Sequence, residues 1–456
     1  MDDEFAKLIR RINPPRVVID NESCDDATII KVDSVKKHGT LLHVVQILTD
    51  MNLVIVKGYI SSDAGWFMDV FNVVDCNRKK IMDQEVISDI QTKLESNDDS
   101  TPSVQGMVGM VPYEEYTCIE LTGADRTGLL SEVCAVLADL HCSVVSAELW
   151  THKARAAAVV HITDYSTGCA IGDSKHLSTI KERLCNVLRS NYDTKTAKLT
   201  VSPPGLAHRE RRLHQMFADQ DYEKTEGSIA RVVQDKSSNP LVTVSDRTEK
   251  GYTVITVRSD DRPKLLFDTI CTLTDMQYVV FHGVVRGGTD EAYQYQVTDV
   301  VFSCYPKLQE YYVRCVDGVP VQSEAERQRI TQRLETAIER RSSEGLELEL
   351  CAEDRIGLLP NITRILRENN LYIKRAEISS KGGKARHTFC VTDVSGDEVD
   401  PTIVDSIRQQ IGKDVLHVKW NSNCSDKQQQ GSSSALTLGN LFGNRSFSSF
   451  LIGSYS

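Results

Sequence analysis

The chain has no Cys-x-x-Cys pair, no long apolar run and no surplus of positive charge. Each absence excludes a class of protein. Its 13 cysteines are an odd number scattered singly from Cys24 to Cys424, a pattern of reduced thiols rather than of a disulfide framework or a structural zinc site. No window approaches the ~20 apolar residues of a membrane-spanning helix. The start, Met1-Asp-Asp-Glu-Phe5, is acidic with no apolar stretch behind it, so no secretory or transit leader is expected. A net charge of −11 and a pI near 5.6 repel a phosphate backbone, so nucleic acid is not an expected partner. None of the 11 histidines stands in an H-x-x-x-H or H-E-x-x-H spacing. No P-loop, G-x-S-x-G or dinucleotide fingerprint is present either, which leaves catalysis without a recognisable foothold and implies no cofactor and no metal. The expected compartment is cytoplasm or nucleus.

What is present is a fourfold repeat. The segments Asp33 to Leu42, Gly123-Ala-Asp125-Arg126-Thr-Gly128-Leu129-Leu130, Asp260-Asp261-Arg262-Pro263-Lys264-Leu265-Leu266 and Glu353-Asp354-Arg355-Ile-Gly357-Leu358-Leu359 share one layout. Each is followed by an apolar stretch closing in Asp75, Asp164, Asp299 or Asp393, at 33, 34, 33 and 34 residues from the second leucine. Four spacings that close are not a coincidence of composition.

Before each motif the pattern is that of a strand, as in Leu346-Glu-Leu348-Glu-Leu350 and Tyr252-Thr-Val254-Ile-Thr-Val257. After it the period turns helical, with Leu129, Leu130, Val133, Val136, Leu137 and Leu140 on one face. A second strand, a turn (Gly287-Gly288 and Gly382-Gly383 in copies three and four), the strand ending in Asp, a second helix and a final strand complete the unit. The fold class predicted is α+β: four tandem ferredoxin-like βαββαβ modules, each an antiparallel sheet with both helices on one face. In copies one and three the final strand is not evident, so those copies either lack it or borrow an edge from a neighbour.

The expected organisation is an N-terminal segment (1–15), modules at 16–95, 115–202, 251–341 and 345–420, a linker at 96–114, a basic helical linker at 203–250, and a disordered tail at 421–456 rich in Ser, Gly, Asn and Gln. The linker run His208-Arg-Glu-Arg-Arg-Leu-His-Gln-Met-Phe217 reads as a short helix with Leu213, Met216 and Phe217 on one side. The pairs Arg211-Arg212 and Arg340-Arg341 read as solvated helix faces.

A strand entering Asp-Arg-x-Gly-Leu-Leu, followed by a helix and a strand ending Val-Thr-Asp, resembles the ACT domain, an amino-acid-binding module. Four such units without a catalytic domain resemble the plant ACT-domain-repeat family, and the resemblance covers roughly residues 16 to 420. It implies amino acids held at interfaces between paired modules. The candidate ligand-binding residues are Asp125, Arg126, Gly128 and Leu129, Asp354, Arg355, Gly357 and Leu358, Asp261 and Arg262, and Gly39. Copy one departs from the pattern with Lys37-His38, and copy three with Lys264 in place of glycine.

The chemistry of such a turn is simple. Unpaired amides at a helix start and the positive end of its dipole suit a carboxylate, an Asp suits an ammonium group, and glycine permits close approach and a positive φ. The same residues also serve merely to build a turn: Asp as an N-cap, Gly at its bend, Arg in solvent. The reading is therefore a non-enzymatic amino-acid-binding regulatory or sensor protein acting on a protein partner, with homo-oligomerisation through the modules open. The competing reading is an interaction scaffold without ligand.

Overall fold

A computed structural model describes residues 16–35, 39–63, 66–95, 116–189, 198–202, 208–224, 240–287, 306–341 and 345–419. Module 1 comprises β1 (Arg16–Asp20), β2 (Thr28–Val35), α1 (Thr40–Asp50), β3 (Val54–Asp63), β4 (Trp66–Val74) and α2 (Gln84–Glu95). Module 2 comprises β5 (Thr117–Ala124), α3 (Leu129–Asp139), β6 (Cys142–His152), β7 (Arg155–Asp164), α4 (Ser174–Leu188) and β8 (Lys198–Ser202). A connecting helix, α5 (Arg209–Lys224), precedes module 3: β9 (Leu241–Arg247), β10 (Tyr252–Asp260), α6 (Leu265–Asp275), β11 (Tyr278–Arg286), β12 (Pro306–Cys315) and α7 (Glu324–Arg340). Module 4 comprises β13 (Leu346–Glu353), α8 (Leu358–Glu368), β14 (Leu371–Lys381), β15 (Lys384–Asp393), α9 (Pro401–Ile411) and β16 (Leu416–Lys419). The expected tail, 421–456, lies outside the described residues.

The four copies share backbone details that the sequence pattern only hints at. The first helix is 11 residues long in every module. Its N-cap is left-handed each time, at Gly39, Gly128, Lys264 and Gly357, with φ of 88°, 83°, 65° and 73°. Behind each helix stands another left-handed residue, Asn52, His141, Gln277 or Asn370. Each second strand then bulges at the same place, between Ile55 and Lys57, Val144 and Ser146, Val280 and His282, and Ile373 and Arg375. Gly382 and Gly383, both at positive φ, make the hairpin between β14 and β15 as expected. Gly288 lies outside the described residues.

The edge left open in copies one and three is filled from upstream. β1 pairs antiparallel with β2, and β9 with β10, so those modules run ββαββα along the chain while matching the others in space. Residues 241–247 thus belong to the sheet of module 3. Copy three also departs from the spacing rule. The strand that follows β11 among the described residues is β12, and Cys315 stands where the other copies have Asp75, Asp164 and Asp393. Asp299 lies outside the described residues.

Modules pair alternately. The first and third form one eight-stranded sheet, β1-β2-β4-β3-β11-β12-β10-β9, and the second and fourth form another, β16-β13-β15-β14-β6-β7-β5-β8. Both joints are antiparallel and centred on equivalent residues, Tyr59 opposite Val284 and Glu148 opposite Glu377, so each sheet has a pseudo-dyad at the same point of the module. The helices of each pair cover one sheet face over a continuous apolar core.

The opposite face of the second sheet is covered by α5. Leu213, Met216 and Phe217 pack on Cys118, Trp150, Ala157 and Val159 in a separate cluster, the apolar side anticipated for this helix. Its two consecutive arginines divide between the halves of the molecule. Arg211 pairs with Asp275 of α6 at 2.7 Å, and Arg212 with Glu120 of β5 at 2.7 Å. Arg340 and Arg341 are buried: Arg341 lies 4.5 Å over the Trp150 ring and bonds Glu210 and Asp268, while Arg340 lies over Phe217. The expectation of solvated arginines fails outright for Arg340 and Arg341 and in part for Arg211 and Arg212, whose side chains keep 30% and 32% exposure, because α5 is sandwiched between one pair's helices and the other pair's sheet.

Asp268 is fully buried and accepts from His214, Arg262 and Arg341. Burial raises its carboxyl, but the two guanidinium groups outweigh that and hold it far below the usual range. Glu148 fares differently. Burial, with Glu210 and Glu377 nearby, pushes its carboxyl up to about 7.

Two outcomes follow. Phe217→Ala should cost about 3 kcal/mol or more in urea denaturation, since it opens a void between the halves. The raised carboxyl of Glu148 keeps a proton in the folded state that the unfolded chain releases, so its contribution to stability is full below pH 4.5 and is lost as pH rises towards 7. Denaturation midpoints of the Glu148→Gln variant should therefore fall less across that window than those of the unaltered protein.

Candidate functional site: the four strand to helix turns

Each first strand runs into its first helix through the left-handed N-cap, and the dyad brings this turn towards the partner module. In module 2 the turn is covered. The Tyr372 hydroxyl, at the start of β14, donates to the Asp125 carboxylate and lies 3.0 Å from Thr151 Oγ1. Burial raises the Asp125 carboxyl, the tyrosine bond opposing it. Arg367 of α8 lies across Gly128, so that a Cβ there would stand 2.6 Å from its Cδ. Arg126 is held by both oxygens of Glu132, at 2.6 and 2.5 Å, and by the Val187 carbonyl at 3.1 Å. Leu129 points into the core.

Module 3 repeats the arrangement with other residues. Arg262 bonds Asp268, six positions on as Glu132 is from Arg126, and the Ile338 carbonyl at the end of the second helix. Asp261 takes the buried Lys307, which also donates to the Ile55 carbonyl of module 1. Lys264, at the glycine position, pairs with Glu210 of α5.

Module 4 is different. Asp354, Arg355 and Gly357 are exposed, and nothing lies within 4 Å of a Cβ built on Gly357. Leu358 is core. The acid that holds the arginine in the other two modules is replaced by Asn361, whose amide serves the helix and whose side chain accepts from Arg364. In module 1, Gly39 also has open space about it, while Lys37 and His38 lie outside the described residues. The strand-end aspartates behave as turn residues: Asp75, Asp164 and Asp393 each accept backbone N–H bonds from the loop that follows.

The partners Glu132, Asp268, Tyr372, Lys307 and Arg367 were not singled out from sequence. The recurring acid six residues after the arginine was visible in two copies; the tyrosine, lysine and second arginine come from other modules and carry no local signal. Among the described residues no group of His, Cys, Asp and Glu could hold a metal ion, and no helix is long and apolar enough to cross a membrane.

The geometry predicts unequal effects of adding a methyl group. Gly357→Ala should cost about 1 kcal/mol, the strain of a left-handed alanine. Gly128→Ala should cost roughly 1 kcal/mol more, because Arg367 must also move; thermal unfolding of the two variants checks the order.

Comparison with known proteins fits this architecture. A model described as the ACR family N-terminal ACT domain matches residues 23–101 and 348–417, and one described as the ACT domain matches 119–189. The chain is similar to three proteins of Arabidopsis thaliana. It is 60% identical to the ACT domain-containing protein ACR6, over 92% of each chain. To ACR4 it is 53% identical, over 100% of this chain and 99% of that one, and to ACR5 49% identical, over 99% and 97%.

Proposed function

Since the chain belongs to the ACR family of ACT-domain proteins, we propose that it is a non-enzymatic regulatory protein that binds free amino acids where two of its modules meet and passes their presence to a protein partner. The observation that carries this reading is the alternate pairing. Two dyads set the first strand to helix turn of a module beside the helix end and central strand of another, as Tyr372 and Arg367 stand beside Asp125 and Gly128. A small zwitterion placed there touches two modules at once. Its affinity then differs between packed and loosened pairs, and that difference is what can shift a conformational population. The helix start, with its amides and its arginine, takes the carboxylate, and an aspartate takes the ammonium group.

A scaffold without ligand is the second reading, and one observation favours it: the Asp-Arg pairs of modules 2 and 3 are spent on contacts within the chain. Thermal unfolding against the common amino acids at millimolar concentration separates the two. A ligand at 100 times its Kd adds about 2.7 kcal/mol to the bound fold. A rise in Tm with one amino acid, or with a few of related chemistry, is the expected outcome; no rise with any leaves the scaffold.

A further inference from the structure

We infer that amino-acid binding is confined to the module 4 turn, one site per chain, with the ligand carboxylate on Arg355, its ammonium group on Asp354 and its side chain lying across the dyad against Ala138 and Ser143. This rests on the amino-acid-binding reading above and narrows it, among the three turns that carry an Asp-Arg pair, to one.

Three copies of one motif differ in what occupies their charged residues. In modules 2 and 3 the aspartate is taken by Tyr372 or Lys307, and the arginine by Glu132 or Asp268 together with a helix-end carbonyl. In module 4 neither side chain has a hydrogen bond or ion pair among the described residues, and both are exposed. An arginine and an aspartate adjacent at a helix start, and both uncommitted, offer opposite charges to the two ends of a zwitterion.

The space opposite is also different. Arg367 stands two residues before the C-cap of α8, and Tyr372 two residues after the left-handed Asn370. The same places in module 2, counted from the C-cap Leu140 and the left-handed His141, hold Ala138 and Ser143. The dyad therefore sets two small residues before the module 4 turn, where two large ones close the module 2 turn. Gly357 accordingly has nothing within 4 Å, while Gly128 is overlaid by Arg367.

Beneath the open turn is a buried histidine with one unpaired ring nitrogen. His387, on the helix side of β15, is 1% exposed, its Nδ1 has no hydrogen-bond partner, and it is near enough to Asp354 for that carboxylate to act on it. Module 2 has Ala158 at the equivalent strand position. A buried unpaired nitrogen is costly to keep, and it occurs under the one described Asp-Arg pair that is also uncommitted.

The test uses the full-length protein and isothermal titration with each of the twenty common amino acids, then repeats the productive one with variants. One ligand per chain is expected. Asp354→Asn should weaken binding at least about tenfold, as loss of a charged hydrogen bond does, whereas Asp125→Asn should leave it within about twofold. The double variant Ala138→Arg with Ser143→Tyr, which rebuilds the closure of module 2 before module 4, should abolish binding. Asp354 is exposed, so its variant keeps the result interpretable if the double variant fails to fold. Two ligands per chain, or binding that follows Asp125 and ignores Asp354, overturns the assignment to module 4 and leaves amino-acid binding standing. No heat with any amino acid overturns both.

Discussion

The arrangement depends on one joint made twice: the antiparallel pairing of two second strands about a point where equivalent residues face each other. An isolated ferredoxin-like module leaves that strand's outer edge unpaired, an open row of N–H and C=O groups. Joining two modules edge to edge satisfies the row and extends the sheet to eight strands. Because the joint is centred at the same residue of the module in both pairs, everything else is placed in turn: helices fall on one face, the turns face the dyad, and the second sheet is left with a bare apolar face for α5.

The repeat, the first helices and the strand pattern were legible in sequence because they are local. A leucine pair one residue after a glycine and an apolar stripe of helical period report directly on one helix and the sheet beneath it. The third copy shows where such reading stops. Its motif and a Val-Thr-Asp at the right interval point to a strand ending at Asp299, which lies outside the described residues, while the described strand that pairs with β11 spans Pro306–Cys315. Nor does a sequence show that β1 and β9 arrive from upstream, or that module 1 joins module 3 instead of its neighbour. Those are choices of tertiary packing, made by edges and faces that carry no period of their own.

The turns record how one motif is put to different uses. In module 3 the arginine and the lysine that replaces glycine are drawn into a buried charge network with Glu210, Asp268 and Arg341, which fastens the helices of one pair to the sheet of the other through α5. A network so deeply buried adds little net stability once desolvation is counted, but leaving any member unpaired is costly, so it fixes one relative placement of the two halves. In the sequence the candidate ligand residues share a motif and a spacing. Spacing cannot tell an arginine held by Glu132 from one facing Asn361, since that distinction lies in the partners, several of which come from other modules.

The alternation of modules also bears on synthesis. The strand β3, ending at Asp63, meets its partner only when β11, beginning at Tyr278, has left the ribosome. At translation rates of about 5–20 residues per second that interval is on the order of ten to forty seconds. During it, module 2 also emerges with a like edge unpaired, so the nascent chain carries two matching edges that must decline each other. The finished sheets join module 1 to module 3 and module 2 to module 4, so native pairing has to discriminate between these edges throughout that interval.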